Sequence, residues 1–142
     1  MTKFILAFFL LASVASAQTV DFPTKQIGGV FVIDIQFKDG IRHFVVDTGT
    51  STSVFSKDAF ADCKAIKQTT VTALEGNAHA DLIYVDLEIG GTHIGQRVFR
   101  ADLNNLSRAS GMKIDGLLGQ DILSHFKTVL FDYRLKHVIF TN

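Results

Sequence analysis

The stretch Asp47-Thr48-Gly49-Thr50-Ser51 sets a carboxylate, hydroxyls and a glycine directly after the apolar run Phe44-Val45-Val46. An aspartate at the end of a buried strand can act as a general acid or base. It can equally close a turn by accepting backbone N–H bonds, and three residues alone do not separate the two readings. A second motif gives the first more weight. Asp115-Gly116-Leu117-Leu118-Gly119 lies 68 positions further on and carries two apolar residues and a glycine at a strand-to-helix junction.

Strands must position both motifs. Val30 to Phe37, reading VFVIDIQF, is dense in β-branched and aromatic residues, and Lys38-Asp39-Gly40 follows as a turn before IRHFVV. This predicts a β-hairpin that delivers Asp47 at the end of its second strand, with Gly28-Gly29 bending its entry. Leu82 to Ile89, the turn Gly90-Gly91 and HIGQRVFRADL repeat that shape. Ile33 to Phe37 and Val85 to Ile89 align without gaps as apolar-acidic-apolar-polar-apolar. The match fits a duplicated hairpin unit, and also fits the alternation shared by half-buried strands. Between the units, SVFSKDAFADCKAI reads as a strand exit and a short helical turn, and QTTVTALEGNAHADL as strand, turn and strand. IDGLLGQDILSHF passes from strand through Gly119 into a helix with Ile122, Leu123 and Phe126 at helical spacing. TVLFDYRLKHVIF reads as two strands around a turn at Asp132 to Leu135.

FVVDTGTS and IDGLLGQDIL together resemble the aspartic peptidases of the pepsin and retropepsin clan, in which an Asp-Thr/Ser-Gly loop is crossed by an apolar-apolar-Gly strand. The likeness runs from about Gly28 to Phe140. It implies an all-β, retropepsin-like fold: a closed acid-protease half-lobe barrel with one short C-terminal helix. Asp-Thr-Gly occurs once, in a chain too short for two lobes. The resemblance therefore implies the retroviral arrangement, a homodimer in which Asp47 of each subunit meets its copy at a two-fold axis.

The activity implied is an aspartic endopeptidase acting on peptide or protein substrates. Two carboxylates in contact cannot both ionise, which is the established behaviour of aspartic-protease dyads. The ionised member takes a proton from a water lying between them while its neighbour hydrogen-bonds the peptide carbonyl. By the same resemblance Gly49 allows close backbone approach, Thr48 grips the loop across the dyad, and Thr50 bonds an outer oxygen of Asp47. Ser51 and Thr52 are read as solvated or backbone-bonded hydroxyls. Thr50 departs from the Asp-Thr-Gly-Ala of many retroviral enzymes towards the cellular type. The expected substrate-binding flap spans roughly 72–80, with Glu75, Gly76 and Asn77 at its tip. It lacks the aromatic residue of pepsin flaps and the glycine-rich tip of retroviral ones, so a surface hairpin is the other reading. HVIF and TVDF are the candidate interleaving strands of a dimer, unless one chain covers its own C-terminal strand. The alternative function is a non-catalytic peptide-binding or scaffold protein of the same fold. Pairing with a different half-lobe is a third arrangement.

The remaining residues narrow the field. The chain has 142 residues, is 47% hydrophobic and 20% charged, and has zero formal net charge. That describes one globular domain, and its neutrality argues against nucleic acid or an anionic membrane as partner, since both need a basic face. Residues 1–17 combine Lys3, an apolar run from Phe4 to Val14 and Ala15-Ser16-Ala17 before Gln18. They read as a cleaved signal peptide, the apolar run being shorter than the roughly 20 residues of a membrane anchor. Residues 18–142 would then be the peptidase domain, slightly acidic, secreted or periplasmic, and free of membrane. Cys63, the single cysteine, reads as a small apolar residue with no disulfide partner. His43, His79, His93, His125 and His137 show no ligand spacing, so neither metal nor cofactor is expected. Asp115 is read as structural by the resemblance, and Asp121 as an N-terminal helix residue favoured there by charge.

Overall fold

The computed structural model describes residues 18–73 and 76–142. The expected signal, 1–17, and Glu75 of the expected flap lie outside the described residues. In chain order come β1 (Thr19–Pro23), β2 (Lys25–Ile27), β3 (Val30–Phe37), β4 (Gly40–Val46), β5 (Val54–Ser56), β6 (Ala65–Ala73), β7 (Gly76–Ile89) and β8 (Thr92–Ala101). They are followed by α1 (Asn104–Ser110), β9 (Gly116–Leu118), α2 (Gln120–Leu123), β10 (Thr128–Asp132) and β11 (His137–Thr141). Strands dominate, as the composition of the apolar runs requires.

Both expected hairpins form. β3 and β4 pair antiparallel from Phe31 opposite Val46 to Phe37 opposite Gly40. β7 and β8 pair from Asp81 opposite Arg100 to Ile89 opposite Thr92. Along β7, Ile83, Val85, Leu87 and Ile89 are buried while Tyr84, Asp86 and Glu88 face solvent, the period of a half-buried strand. Its turn uses Gly90 and Gly91 at φ of 58° and 82°, where side chains are disfavoured. Val20 of β1 packs so closely on this turn that a Cβ at Gly90 would stand 2.2 Å from its Cγ1.

The eight-stranded sheet has the order β2-β3-β4-β9-β5-β8-β7-β6. β4 pairs in parallel with β9, β8 pairs in parallel with β5, and β5 meets β9 antiparallel at the centre. The hairpins β3–β4 and β7–β8 thus hold corresponding places, in keeping with the duplicated-unit reading. The main core joins Phe31, Ile33, Phe44 and Val46 to Phe55, Ile83, Val98, Leu118 and Phe140. A smaller cluster on the other face joins Val32, Val45 and Ile114, with Leu106, Met112 and Leu117 against it.

Two features differ from the sequence reading. A second helix, α1, leads from β8 towards β9 and buries none of its seven residues. Its segment NNLSRAS has no apolar stripe, so no periodicity announces it. The C-terminal helix is present but ends at Leu123; Phe126 reaches the core through a following turn in which its N–H bonds Leu123 O at 3.1 Å.

The three-stranded sheet has the order β1-β11-β10. HVIF and TVDF therefore pair with each other in one chain, Phe22 opposite Val138 and Val20 opposite Phe140. The turn after Asp132 returns β11 alongside β10, and the second edge of β11 is filled by β1. Interleaving β11 itself with another copy is not open to this arrangement.

Candidate active site

Asp47 follows the last residue of β4, and its backbone N–H donates to Leu118 O at 3.0 Å. Strand β9 thus continues the ladder of β4 to the foot of the carboxylate. Asp47 Oδ1 accepts the Gly49 N–H at 2.9 Å, closing a tight Asx turn. A Cβ at Gly49 would stand 3.2 Å from that same oxygen, so the glycine keeps the carboxylate uncrowded. Asp47 is half-buried, whereas Thr48 and Gly49 are exposed.

The chain after β9 grips this loop from below. Gln120 N–H donates to Thr50 O at 2.9 Å, Asp121 N–H to Ser51 O at 3.2 Å, and Gln120 Nε2 to Thr48 O at 2.8 Å. The two segments cross so closely that a Cβ at Gly119 would lie 3.0 Å from Thr50 O and from Thr52 C. Glycine is required there by contact with backbone, which cannot swing aside.

Ser53 locks the crossing. Its hydroxyl donates to Asp121 Oδ1 at 2.6 Å and accepts the Gly119 N–H at 2.8 Å, while its own N–H reaches both Asp121 oxygens at 3.0 Å. Sequence reasoning placed Asp121 at the helix start but missed this partnership and Gln120's role. The available signal was a hydroxyl beside Val54-Phe55, entering a buried strand, which must find a partner.

The expected site residues fall as follows. Asp47, Thr48, Gly49 and Thr50 form one loop. Thr50 Oγ1 donates to Thr52 O at 3.1 Å rather than to Asp47. In the hairpin β6–β7, where the flap was expected, Ala73 stands opposite Gly76, so Gly76 opens the return strand. Asn77 stands opposite Thr72, whose hydroxyl lies 3.1 Å from Asn77 Oδ1. No hydrogen bond among the described residues joins this hairpin to the Asp47 loop. Asp115 is buried; its Oδ2 accepts the His43 N–H at 2.9 Å and Lys113 Nζ lies 3.2 Å from Oδ1. These contacts hold β9 against β4 and give Asp115 a structural task. Of the histidines, His43 faces Asp34 at 2.6 Å and His137 faces Asp21 at 2.7 Å.

A carboxylate fixed at a strand end, over a glycine-cleared loop crossed by an apolar-apolar-Gly segment, defines a retropepsin-like fold. Solved structures carry the same likeness. A retropepsin-like aspartic protease from Rickettsia conorii aligns over 89% of this chain and 92% of its own, with 19% identity and a TM-score of 0.56. EIAV protease, solved with the inhibitor HBY-793, aligns over 72% of this chain and 92% of its own at 22% identity and a TM-score of 0.55. The retroviral protease-like domain of Ddi1 from Leishmania major covers 74% of this chain and 82% of its own at 13% identity and 0.52. No family model matches the chain. No curated protein matches it either.

Proposed function

We propose that the chain is an aspartic endopeptidase whose active site is completed by a second copy, each contributing Asp47. The observation that carries this reading is the Asp47 loop itself, held by Leu118 O, Gln120 and the Gly119 crossing. One chain supplies one such carboxylate, and the acid–base pair requires two.

In the assembled site a water lies between the two carboxylates. The ionised Asp47 removes its proton as the oxygen attacks the peptide carbon; the protonated Asp47 donates to the carbonyl oxygen. Proton transfer to the leaving amine then completes hydrolysis, with no covalent intermediate. Gly49 N–H, bonded to Oδ1, fixes the rotamer of the carboxylate. The exposed Thr48 bridges the two loops in this reading. The hairpin β6–β7, with Asn77 beside its reversal, covers the extended substrate. Residues 1–17 direct export and are removed, leaving a secreted or periplasmic enzyme.

The test is cleavage of a peptide library by residues 18–142. Pepstatin-sensitive cleavage is expected, and Asp47→Asn is expected to lower kcat by about 10²–10⁴-fold or more. Cleavage unchanged by that substitution would sink the proposal. Binding of peptides without turnover by the unaltered chain would favour a peptide-binding protein of the same fold.

A further inference from the structure

We propose that Gln120 is a positioning residue of the Asp47 site, holding the peptide plane that presents Gly49 N–H to the carboxylate. The proposal deepens the peptidase reading and rests on it for the chemistry; the hold itself is argued from the loop. Gln120 Nε2 donates to Thr48 O at 2.8 Å, and Gly49 N–H donates to Asp47 Oδ1 at 2.9 Å. Thr48 C=O and Gly49 N–H belong to one peptide group. That group is planar and trans, so its oxygen and its hydrogen point in opposite directions, and fixing one fixes the other. Contact therefore runs from the Gln120 amide through this plane to the carboxylate of Asp47.

Gly49 makes such a hold necessary. Turning the plane changes ψ of Thr48 and φ of Gly49 in concert, and glycine tolerates φ of either sign. A side chain at position 49 would resist the turn, but its Cβ would stand 3.2 Å from Asp47 Oδ1. The residue that clears the carboxylate thus leaves its own peptide easy to rotate, and Gln120 offsets this from the crossing segment.

Neighbouring peptides of the loop are held by other means. Asp47 N–H donates to Leu118 O, Thr50 O accepts Gln120 N–H and Ser51 O accepts Asp121 N–H, all backbone to backbone. Thr52 O accepts the Thr50 hydroxyl, and Ser53 N–H reaches Asp121. The Thr48–Gly49 plane is held instead by an exposed side chain. Gln120 opens α2 with its own N–H anchored on Thr50 O, which sets the amide within reach of Thr48 O. Facing a carbonyl, a glutamine amide can offer only its NH2 end. A carboxylate aimed in advance keeps water and the scissile carbonyl aligned, and a misplacement of about 1 Å can cost about 10²-fold in rate.

The experiment uses residues 18–142, which carry both described sheets, with Gln120→Met as a variant of similar length that lacks the donor. Its kcat should fall about tenfold or more while KM stays within about twofold, because the carboxylate is disturbed and not the substrate surface. The urea midpoint should not move, since Gln120 is exposed. Gln120→Glu offers a donor only while protonated. Its kcat should match the parent's below about pH 4 and fall to the Gln120→Met level as the carboxyl ionises around its ordinary pKa of about 4.3. The Gly49 amide proton gives a reading independent of turnover. In the Gln120→Met chain its NMR resonance should shift upfield as the bond to Oδ1 lengthens, while that of Asp47 N–H, bonded to Leu118 O, stays in place. If the parent cleaves and Gln120→Met keeps its kcat or leaves the Gly49 resonance unmoved, the assignment is overturned and the peptidase stands. A loss of kcat that follows a loss of stability, or that Gln120→Glu does not restore in acid, overturns the assignment as well. A parent chain that cleaves nothing removes the peptidase, and the Gly49 resonance then decides alone: shifted, the hold stands; unmoved, it falls too.

Discussion

Ser53 is fully buried, and both its hydroxyl and its N–H point at Asp121. Removing the acceptor strands two buried donors, which costs the desolvation of each; this exceeds the net worth of the bonds themselves. Asp121→Ala should therefore destabilise the chain by about 1–3 kcal/mol, measured by urea unfolding. It should also loosen the Gly119 crossing, because Ser53 Oγ would lose the partner that orients its lone pair towards Gly119 N–H. A variant as stable as the parent would mean that water replaces the carboxylate. The Asp47 motif was legible because its residue types follow from the chemistry. Ser53 and Gln120 were not, since hydroxyl and amide side chains are common and their meaning depends on a contact between segments 66 to 72 residues apart.

At the next scale, elements are held by contacts that cross them. Arg100 on β8 donates to Asp81 on β7 at 2.8 Å, and its Nη1 reaches Phe60 O, Ala61 O and Cys63 O at 2.8, 3.2 and 2.7 Å. One guanidinium thus fastens the loop before β6 to the base of the β6–β7 hairpin. Both side chains are largely buried, so deleting one partner leaves the other charge and three carbonyls unmatched. Arg100→Met should cost about 3 kcal/mol and should raise amide exchange first in 57–73, ahead of β3 and β4. Uniform loss of protection would show that the clip serves the whole domain and not the hairpin base. The hairpins were readable from alternation of period two. α1 was not, because a helix with no buried residue leaves no apolar period. For the second edge of β11 the sequence left two occupants open, another copy or the chain's own N-terminal strand, because strand composition does not fix strand order; in the fold β1 fills it.

For the whole molecule, the sequence implied a half-site; among the described residues stand one Asp47 loop, the β6–β7 hairpin and one three-stranded sheet with an open β10 edge. If each active site takes one Asp47 from each of two copies, activity belongs to the pair and not to the chain. Mixing then discriminates. When the parent chain and Asp47→Asn are combined in equal amounts and allowed to exchange, random pairing leaves about one quarter of the dimers with two aspartates. Each mixed dimer has a single carboxylate and lacks the shared proton. Specific activity per total chain should therefore fall to about a quarter, and with a tenfold excess of Asp47→Asn to about one percent, on the same random-pairing arithmetic. If each chain held a complete site, the equal mixture would retain about half. Dilution gives an independent check, because specific activity should fall with total concentration below the dissociation constant, and the melting temperature with it. A response linear in the fraction of parent chain, with no dependence on dilution, would place a complete site within one chain and contradict the division of Asp47 between two.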